Sequence, residues 1–289
     1  MGLDVNMVLF MVDARKRGAN FGELVMLGRQ QLNVYPGKMV KVLRKHGLPW
    51  ENYCNEAAKS QYSEPFLRAL GTTKTYSMDA SDFEGADFVH DLNTPLPKTL
   101  LNRFDTVFDG GTLEHVFNFP VALRNCMEML RVGGRFIMHT CANNLCGHGF
   151  YQFSPELFYR TFSAENGFEV ERIVLHRVGP YNRWYEVPDP NSIQSRIELV
   201  TFTPVQMMVQ ARKIQATNVF AKAPQQSDYA VLWKQSATGA SASNNGFARG
   251  LQNSFPALAR LLNGLRYAFI FYTNQSLRNR RHFRPVKKP

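Results

Sequence analysis

The segment from Phe104 to Thr140, FDTVFDGGTLEHVFNFPVALRNCMEMLRVGGRFIMHT, decides the fold. It opens with an apolar run that ends at Asp109. A helical pattern follows, with its apolar positions roughly on one face, and a second strand comes after the Gly133-Gly134 pair. Strand, helix, glycine stop and strand in this order predict one βαβ unit of a parallel α/β sheet.

The residues directly after the first strand of this unit, Asp109 to His115, are the first candidates for a binding site. In open α/β sheets, ligands bind beyond the carboxyl ends of the parallel strands. The order of the elements alone therefore predicts that this loop lies at the binding edge of the sheet.

Two stretches of the segment, FDTVFDGGTLEHV and LRVGGRFIM, resemble the class I S-adenosylmethionine-dependent methyltransferases. That family shows Leu-Glu-His after its fourth strand and Leu-Lys/Arg-Pro-Gly-Gly before its fifth; here Val132 replaces the proline. With weaker motifs, the resemblance runs from about Phe21 to Trp233. It implies a Rossmann-like α/β fold: a seven-stranded, mostly parallel sheet with helices on both faces and a helical insertion after the first strand. It also implies S-adenosylmethionine as the cofactor.

The rest of the chain supplies the other elements of such a fold. Helical patterns are predicted over Leu3 to Arg17, Pro36 to His46 and, interrupted at Pro65, Trp50 to Leu70. Strands are predicted at Glu23 to Leu27, Lys74 to Met78, Phe88 to Asp91 and Gly167 to Leu175. Either Val205 to Arg212 or Thr217 to Ala221 should form the antiparallel seventh strand.

The loop after the first strand departs most from the family pattern. The family has a Gly-x-Gly-x-Gly run there, because a backbone without Cβ atoms can approach the cofactor closely. This chain has only Gly28 at the turn, followed by Arg29 and Gln30. We expect Gly28 to let the backbone approach the cofactor, and Arg29, together with Gln30, to contact its methionine carboxylate. The alternative is that Arg29 and Gln30 crowd the cofactor out.

Two aspartates follow the next two predicted strands. Asp79 lies where such folds place an acidic side chain that accepts hydrogen bonds from both ribose hydroxyls. Its alternative role is to cap a turn. The resemblance implies that Asp91 lies near the adenine amino group, and that Asp109, Gly110, Gly111 and Leu113 line the methionine side of the cofactor.

A candidate base lies in GHGFYQFSPELF, residues 147–158, which resembles a group of small-molecule and glycan methyltransferases with a histidine just before this helix. Methylation at oxygen requires that the hydroxyl lose its proton, and a histidine that titrates near pH 6.5 can take it. We therefore predict His148 as the catalytic base. The alternative is a surface-loop histidine without a role.

The loop from His176 to Ser192 is rich in aromatic residues and proline. It lies where the family places substrate-binding additions, and its Tyr181, Arg183, Trp184 and Tyr185 could stack on a sugar or an aromatic ring. Long loops at such places are often functional.

Composition and cysteine usage indicate the class of protein. Hydrophobic residues make up 44% and charged residues 20% of 289 residues, which is ordinary for a globular chain with a full core. The longest apolar runs are too short to span a membrane. The start lacks a signal-peptide pattern, and the four cysteines form no Cys-x-x-Cys pair. A reduced cytoplasmic protein is the simplest interpretation, with no metal site predicted.

The net charge of +11 is concentrated at the end of the chain. Ten lysines and arginines, and no acidic residue, follow Asp228. We predict a methyltransferase-like domain over residues 1–235, and a linker, an apolar helix and a basic tail over 236–289. The helix and tail could rest on an anionic membrane surface. They could equally bind nucleic acid, although no nucleic-acid motif accompanies them, or simply pack against the domain.

The resemblance implies methyl transfer from S-adenosylmethionine to an oxygen of a small molecule or glycan. The cofactor brings its own leaving group, so the protein mainly has to align the reactants. The rival hypothesis is a non-catalytic relative that keeps the fold for binding or assembly, and the incomplete glycine loop motivates it.

Overall fold

The computed structural model describes residues 2–57, 60–179, 183–227 and 256–289. Its strands are β1 (Gly2–Leu3), β2 (Glu23–Leu27), β3 (Gln31–Leu32), β4 (Lys74–Asp79), β5 (Phe88–Val89), β6 (Phe104–Asp109), β7 (Leu130–Asn143), β8 (Phe168–Arg177), β9 (Trp184–Glu186), β10 (Val205–Lys213) and β11 (Arg284–Val286). Its helices are α1 (Val5–Lys16), α2 (Pro36–Lys45), α3 (Trp50–Ala57), α4 (Glu64–Ala69), α5 (Phe119–Met129), α6 (Pro155–Thr161), α7 (Pro190–Ile193) and α8 (Pro256–Thr273).

Nine strands form the central sheet, in the order β11-β9-β8-β10-β7-β6-β2-β4-β5. The predicted α/β architecture is confirmed, but the prediction of seven mostly parallel strands is wrong. Of the eight neighbouring pairs among the described residues, four are parallel and four are antiparallel. The sheet is mixed because β10 runs antiparallel to β7 and β8, and it has nine strands because β9 and β11 extend it beyond β8, each antiparallel to its neighbour.

The sheet is covered on both faces, so its strands are apolar on both sides. In β2, Val25 and Leu27 point into a core shared with α5 and α6, whereas Leu24 and Met26 point into a core shared with α1, α2 and α4. This alternation follows from the period of two along a strand. β2 lies between β6 and β4, and its carboxyl end leads into the loop at Gly28.

The predicted βαβ unit is present, but the role of its glycines differs from the prediction. Helix α5 ends at Met129, and Gly133 and Gly134 lie within β7 instead of closing the helix. The register between β6 and β7 is irregular there. A Cβ on Gly134 would lie 2.9 Å from the carbonyl oxygens of Arg131 and Asp105, so glycine permits the close strand approach.

The C-terminal residues join the sheet. β11 pairs with β9, and the adjacent Phe283 is fully buried in the core. The predicted apolar helix is α8, and most of its large apolar side chains are exposed. The predicted linker and the boundary between residues 235 and 236 lie outside the described residues. Of the two candidates for the seventh strand, Val205–Lys213 is the strand, and residues 217–221 form a turn.

Candidate functional site

The turn after β2 has the backbone that the sequence predicted. Gly28 has φ +67°, a left-handed conformation that favours glycine, and its amide donates to the carbonyl oxygen of Met78 over 2.7 Å. A Cβ on Gly28 would lie 3.3 Å from the Thr112 hydroxyl and 3.8 Å from Oδ2 of Asp79. The loops after β2, β4 and β6 therefore converge on this glycine.

Asp79 ends β4 beside this turn and is partly buried. Its backbone carbonyl accepts from His90, but its carboxylate has no hydrogen bond or ion pair with any described residue. The predicted alternative, a turn cap, would show such a bond. The carboxylate is therefore available to accept hydrogen bonds from a ligand.

Arg29 and Gln30 point in different directions. The Arg29 guanidinium turns away to Glu64, with Nε–Oε1 at 2.7 Å, and stacks on the Tyr62 ring at 4.0 Å. Gln30 is 3% exposed and folds inward, where its amide nitrogen donates to the Leu27 carbonyl over 2.6 Å. Its Oε1 is buried and has no partner among the described residues.

The Gln30 amide lies against Gly110, where any Cβ would collide with Oε1. Part of the space that the family keeps open with glycines is thus filled by a side chain. The filling is polar: it presents a buried acceptor that lacks a donor, and an unsatisfied buried acceptor is costly.

Asp109 organises the loop after β6. The carboxylate is fully buried and accepts from the backbone amides of Gly111, Thr112 and Leu113, at 3.1, 2.7 and 3.4 Å. Burial, with the neighbouring Glu114 carboxylate, raises the pKa of Asp109 to about 8. Asp109 holds the backbone of this loop, and Gly111 permits its turn with φ +104°.

The remaining predicted cofactor residues lie apart from this centre. The Leu113 side chain is in the core. Asp91 is exposed and accepts from the backbone amide and side chain of Asn93, and these bonds lower its pKa. In this structure, Asp91 therefore closes a local turn.

His148 lies over a buried carboxylate. Nε2 of His148 is 3.8 Å from Oε1 of Glu114, which is an ion-pair distance rather than a hydrogen bond. Glu114 is fully buried, and its Oε2 accepts from the Thr140 hydroxyl at 3.0 Å. The His148 side chain is 33% exposed, so the imidazole bridges the carboxylate and the solvent.

The glycine after His148 has a structural reason. The Glu114 carbonyl accepts from the amides of Phe150 and Tyr151, at 2.8 and 3.2 Å. A Cβ on Gly149 would lie 2.7 Å from that carbonyl oxygen. Glu114 therefore holds the histidine loop through its backbone and faces the imidazole with its side chain.

Two groups of side chains have the spacing of metal ligands. In each, the ligand atoms lie within 4.8 Å of one another: Glu114, His115 and His148 at the rim, and Asp4, His139 and His176 inside. In the inner group, Nε2 of His139 and Nε2 of His176 are 3.2 Å apart. Burial lowers the pKa of His139, and burial with the His139 charge lowers that of His176 to about 4. Burial therefore favours the uncharged form of both imidazoles.

Four polar residues around the His148 loop, Asn143, Asn144, Tyr151 and Gln152, form hydrogen bonds within the protein that hold this and neighbouring loops. The Tyr151 hydroxyl donates to the Phe117 carbonyl over 2.6 Å, and Gln152 accepts from Leu145 over 2.7 Å. Asn143 and Asn144 both donate to residues 199–203. These bonds fix the surroundings of His148.

Only some of the side chains of the loop from His176 to Ser192 that were predicted to bind a substrate reach the surface. Trp184 is fully buried against Phe10, at 6.2 Å between ring centroids. Arg183 and Tyr185 line a cavity of about 500 Å³ with residues of α8 and the segment after it. Tyr181 lies outside the described residues.

Four cavities among the described residues have volumes of about 170 to 630 Å³, and none of these four is lined by Gly28, Asp79 or Asp109. In the described part of the chain, every helix is too short or too polar to cross a membrane.

The groups around Gly28 fit the polar ends of S-adenosylmethionine. Its ribose hydroxyls and its ammonium are hydrogen-bond donors, and the site offers two acceptors without partners, the Asp79 carboxylate and Gln30 Oε1. The sequence predicted that Gln30, with Arg29, either contacts the methionine carboxylate of the cofactor or crowds the cofactor out; it did not indicate the ammonium. The sequence shows the position of Gln30 directly after the glycine turn, but it does not show the direction of the side chain.

No family model and no curated protein matches this sequence. Solved structures with a similar arrangement of elements include a candidate S-adenosylmethionine-dependent methyltransferase from Listeria monocytogenes, at 11% identity over 73% of this chain and 100% of that one (TM-score 0.38). TehB from Haemophilus influenzae is 14% identical over 71% of this chain and 61% of that one (TM-score 0.39). The branched-chain polyamine synthase from Thermus thermophilus is 15% identical over 77% and 60% (TM-score 0.35).

These likenesses are too distant to assign an activity, since all three TM-scores are below 0.5. The topology of the chain itself is more informative. The parallel run β5-β4-β2-β6-β7 is followed by β10, antiparallel, and then by β8. With this strand order and the antiparallel β10, the chain has a class I methyltransferase-like fold.

Proposed function

We propose that this protein binds S-adenosylmethionine at the Gly28 turn and transfers its methyl group to an oxygen of a small molecule or glycan. The observation that carries the proposal is the partnerless Asp79 carboxylate, which lies beside a left-handed glycine at the carboxyl ends of β2 and β4. This is the position at which doubly wound folds bind a ribose.

Three groups of the chain would hold the cofactor. Asp79 accepts from the ribose hydroxyls, Gln30 Oε1 accepts from the ammonium, and Gly28 leaves room for the backbone to approach. When bound, S-adenosylmethionine supplies an activated methyl group on a positively charged sulfur. Arg29 has no role in this proposal, because Glu64 already pairs with it.

His148 acts on the acceptor. His148 would accept the proton of the acceptor hydroxyl, so that the acceptor oxygen could attack the methyl group that S-adenosylmethionine would supply with its own leaving group. The buried Glu114 carboxylate, 3.8 Å from Nε2, orients the ring and stabilises the imidazolium that results. The exposed rings of Phe117 and Phe150, 5.8 Å apart, supply an apolar wall close to this base.

The second candidate function is a non-catalytic binding or assembly protein of the same fold. The inward Gln30 side chain favours it, because it fills space beside Gly110 that a cofactor needs. The two candidates differ in one property, the affinity for S-adenosylmethionine.

Calorimetric titration with S-adenosylmethionine tests the proposal. We expect saturable heat with the wild type and a loss of about tenfold to a hundredfold in affinity for Asp79→Asn, since the amide cannot accept from both hydroxyls as a carboxylate does. Asp82→Asn, on an exposed aspartate three residues further on, is the matched control and should bind normally. Absence of heat with S-adenosylmethionine at up to about 1 mM would mean a binding free energy weaker than about −4 kcal/mol. That result supports the non-catalytic candidate.

A further inference from the structure

The cavity of about 500 Å³ near the ends of β8 and β9 is not used by the proposed transfer, and its lining is strongly cationic. Arg177 ends β8, Arg183 precedes β9, and Arg278 and Arg280 follow α8. The remaining lining residues are aromatic, aliphatic or hydroxyl-bearing, among them Tyr185, Thr201, Phe202, Thr203 and Tyr272. No acidic residue is among them.

These four arginines lack acidic partners, unlike others in the described chain. Arg135 pairs with Glu171 at 3.0 Å, and Arg172 pairs with Asp13 at 2.5 Å. None of the four cavity arginines forms an ion pair with a described residue. Four positive charges converging on one concave surface repel one another unless an anion binds there.

Two buried polar atoms of the lining lack hydrogen-bond partners. They are Nε of Arg177, a donor, and the hydroxyl of Thr203, a donor and acceptor. A buried polar group without a partner is destabilising, so such groups are usually satisfied by a ligand or an ordered water. A phosphate oxygen accepts from both guanidinium and hydroxyl groups, which makes it a suitable partner for this pair.

Aromatic rings line the same space. Arg278 lies over the Tyr272 ring at 4.2 Å, and Tyr185 and Phe202 also contribute to the wall. The volume is within the range of small-molecule sites, roughly 300 to 1,000 Å³. Arginines beside aromatic rings suit a ligand that carries both an anionic group and a planar ring.

The cavity is connected to the loop of the proposed base. Asn143, the last residue of β7, donates to the Leu199 carbonyl over 3.2 Å and to the Thr201 hydroxyl over 3.4 Å. The chain then leads from Asn143 through the next few residues to His148. The cavity and the base are therefore attached to the same end of β7.

We propose that this cavity binds the phosphate groups of a phosphate-bearing ligand with a planar ring, of the class of nucleoside diphosphates, and that this ligand is part of the methyl acceptor. Its role as acceptor rests on the proposed function, but the binding itself does not. Arg177 and Thr203 bind the phosphate at the inner end, and Arg278 and Arg280 bind it from the segment after α8.

The same phosphate chemistry also occurs in lipid headgroups. The exposed apolar side chains of α8, among them Leu261, Leu265 and Phe269, would suit a lipid as the source. The experiment therefore needs a soluble arm and a membrane arm.

The soluble arm is calorimetric titration with uridine diphosphate, without S-adenosylmethionine, so its failure is separate from any failure of cofactor binding. We expect Arg177→Gln to weaken binding about tenfold, and Arg278→Gln with Arg280→Gln by more than that, because charge-assisted bonds to phosphate are lost. The matched control is Arg260→Gln combined with Arg266→Gln. Both residues lie on α8, outside the cavity lining, and the two substitutions remove as much positive charge as those at Arg278 and Arg280. Melting temperatures of all variants establish that they fold.

The membrane arm is sedimentation with vesicles of phosphatidylglycerol or of phosphatidylcholine. Binding of uridine diphosphate that the cavity variants weaken and the control does not supports the proposal with a soluble ligand. Pelleting with phosphatidylglycerol that the same variants weaken, without binding of uridine diphosphate, would overturn the nucleoside diphosphate as the ligand and assign the cavity to a lipid headgroup. Equal behaviour of the cavity and control variants in both arms, or no binding in either, overturns it.

Discussion

The two halves of the carboxyl edge of the sheet present groups of opposite character. Beyond β2 and β4, the groups without partners among the described residues are acceptors, the Asp79 carboxylate and the side-chain oxygen of Gln30, whereas Asp109 beyond β6 already binds the backbone of its own loop. Near the ends of β8 and β9, the side chains are hydrogen-bond donors, among them Arg177 and Arg183. One half suits hydroxyls and an ammonium, the other suits an anion, and the loop of His148 lies between them.

The halves also differ in how they are filled. The acceptor half is closely packed, since the Gln30 amide occupies the space beside Gly110. The donor half is open, with a cavity of about 500 Å³. The proposed cofactor binding in the first half therefore requires a movement of the Gln30 side chain, whereas the proposed anion binding in the second half requires none.

The largest expected effect concerns the packing of the C-terminal segment, which contains β11, against the donor half. Phe283 is fully buried next to β11, so Phe283→Ala should lower the free energy of unfolding by about 3–5 kcal/mol. Phe269→Ala, on a ring that is 68% exposed, is the control and should change it by less than about 0.5 kcal/mol. Urea unfolding measures both; equal values would show that the C-terminal segment is not part of the folded domain.

The next effect concerns the base between the two halves. His148→Ala should reduce kcat by about 10²- to 10³-fold and leave the affinity for S-adenosylmethionine unchanged. The measurement is release of S-adenosylhomocysteine with a panel of hydroxyl-bearing sugars and nucleoside diphosphate sugars. His115→Ala, 5.4 Å away between ring centroids, is the control with a smaller effect. Full turnover by the His148 variant would remove this residue from the mechanism.

A smaller effect tests whether Gln30 binds the cofactor or blocks it. If Oε1 accepts from the cofactor ammonium, Gln30→Ala should weaken S-adenosylmethionine binding about tenfold. If the amide only fills the space beside Gly110, the same change should strengthen binding. Calorimetry with the variant distinguishes the two by the sign of the change, and a gain in affinity would contradict the role proposed for Gln30.

The smallest expected effect is a dependence of the free energy of unfolding on pH, which arises from Asp109 in the acceptor half. Since the pKa of Asp109 is raised to about 8 in the folded state, the folded protein keeps a proton that the unfolded chain has released. Stability should therefore fall by about 1 kcal/mol as the pH rises from about 7 to 8.5.

The buried histidines do not obscure this window. His139 and His176 have lowered pKa values, so their contribution is lost only as the pH falls through and below the unfolded value near 6.5. Thermal unfolding of Asp109→Asn across the same range should show a flatter profile. If the wild-type protein gained stability between pH 7 and 8.5, the raised pKa of Asp109 in the folded state would be refuted.

The elements that local pattern predicts are those with strong periodicity or clear ends. β2 was predicted with its observed bounds, and β6 and the antiparallel β10 were located, because each is an apolar run bounded by turn residues. β9 and β11 were missed. Each has three residues in an aromatic or basic stretch, and their pairing joins segments about a hundred residues apart. Such pairing is a property of the tertiary structure.

The candidate site was predictable in position but not in detail. The order of strands predicts that Gly28, Asp79 and Asp109 meet at one edge, and they do. The direction of the Gln30 side chain depends on the space that Gly110 leaves, which no local pattern shows. The arginine cavity is built from residues between 177 and 280, so only the excess of basic residues at the end of the chain hinted at it.

The most direct test of the central claim is a crystal structure of the protein soaked with S-adenosylhomocysteine. The account predicts an adenosine bound beside Gly28, with its ribose hydroxyls within hydrogen-bonding distance of the Asp79 carboxylate and the Gln30 side chain turned toward the amino group. Crystals that admit no adenosine at saturating ligand, with the Gln30 amide still packed on Gly110, would contradict it and leave only the architecture.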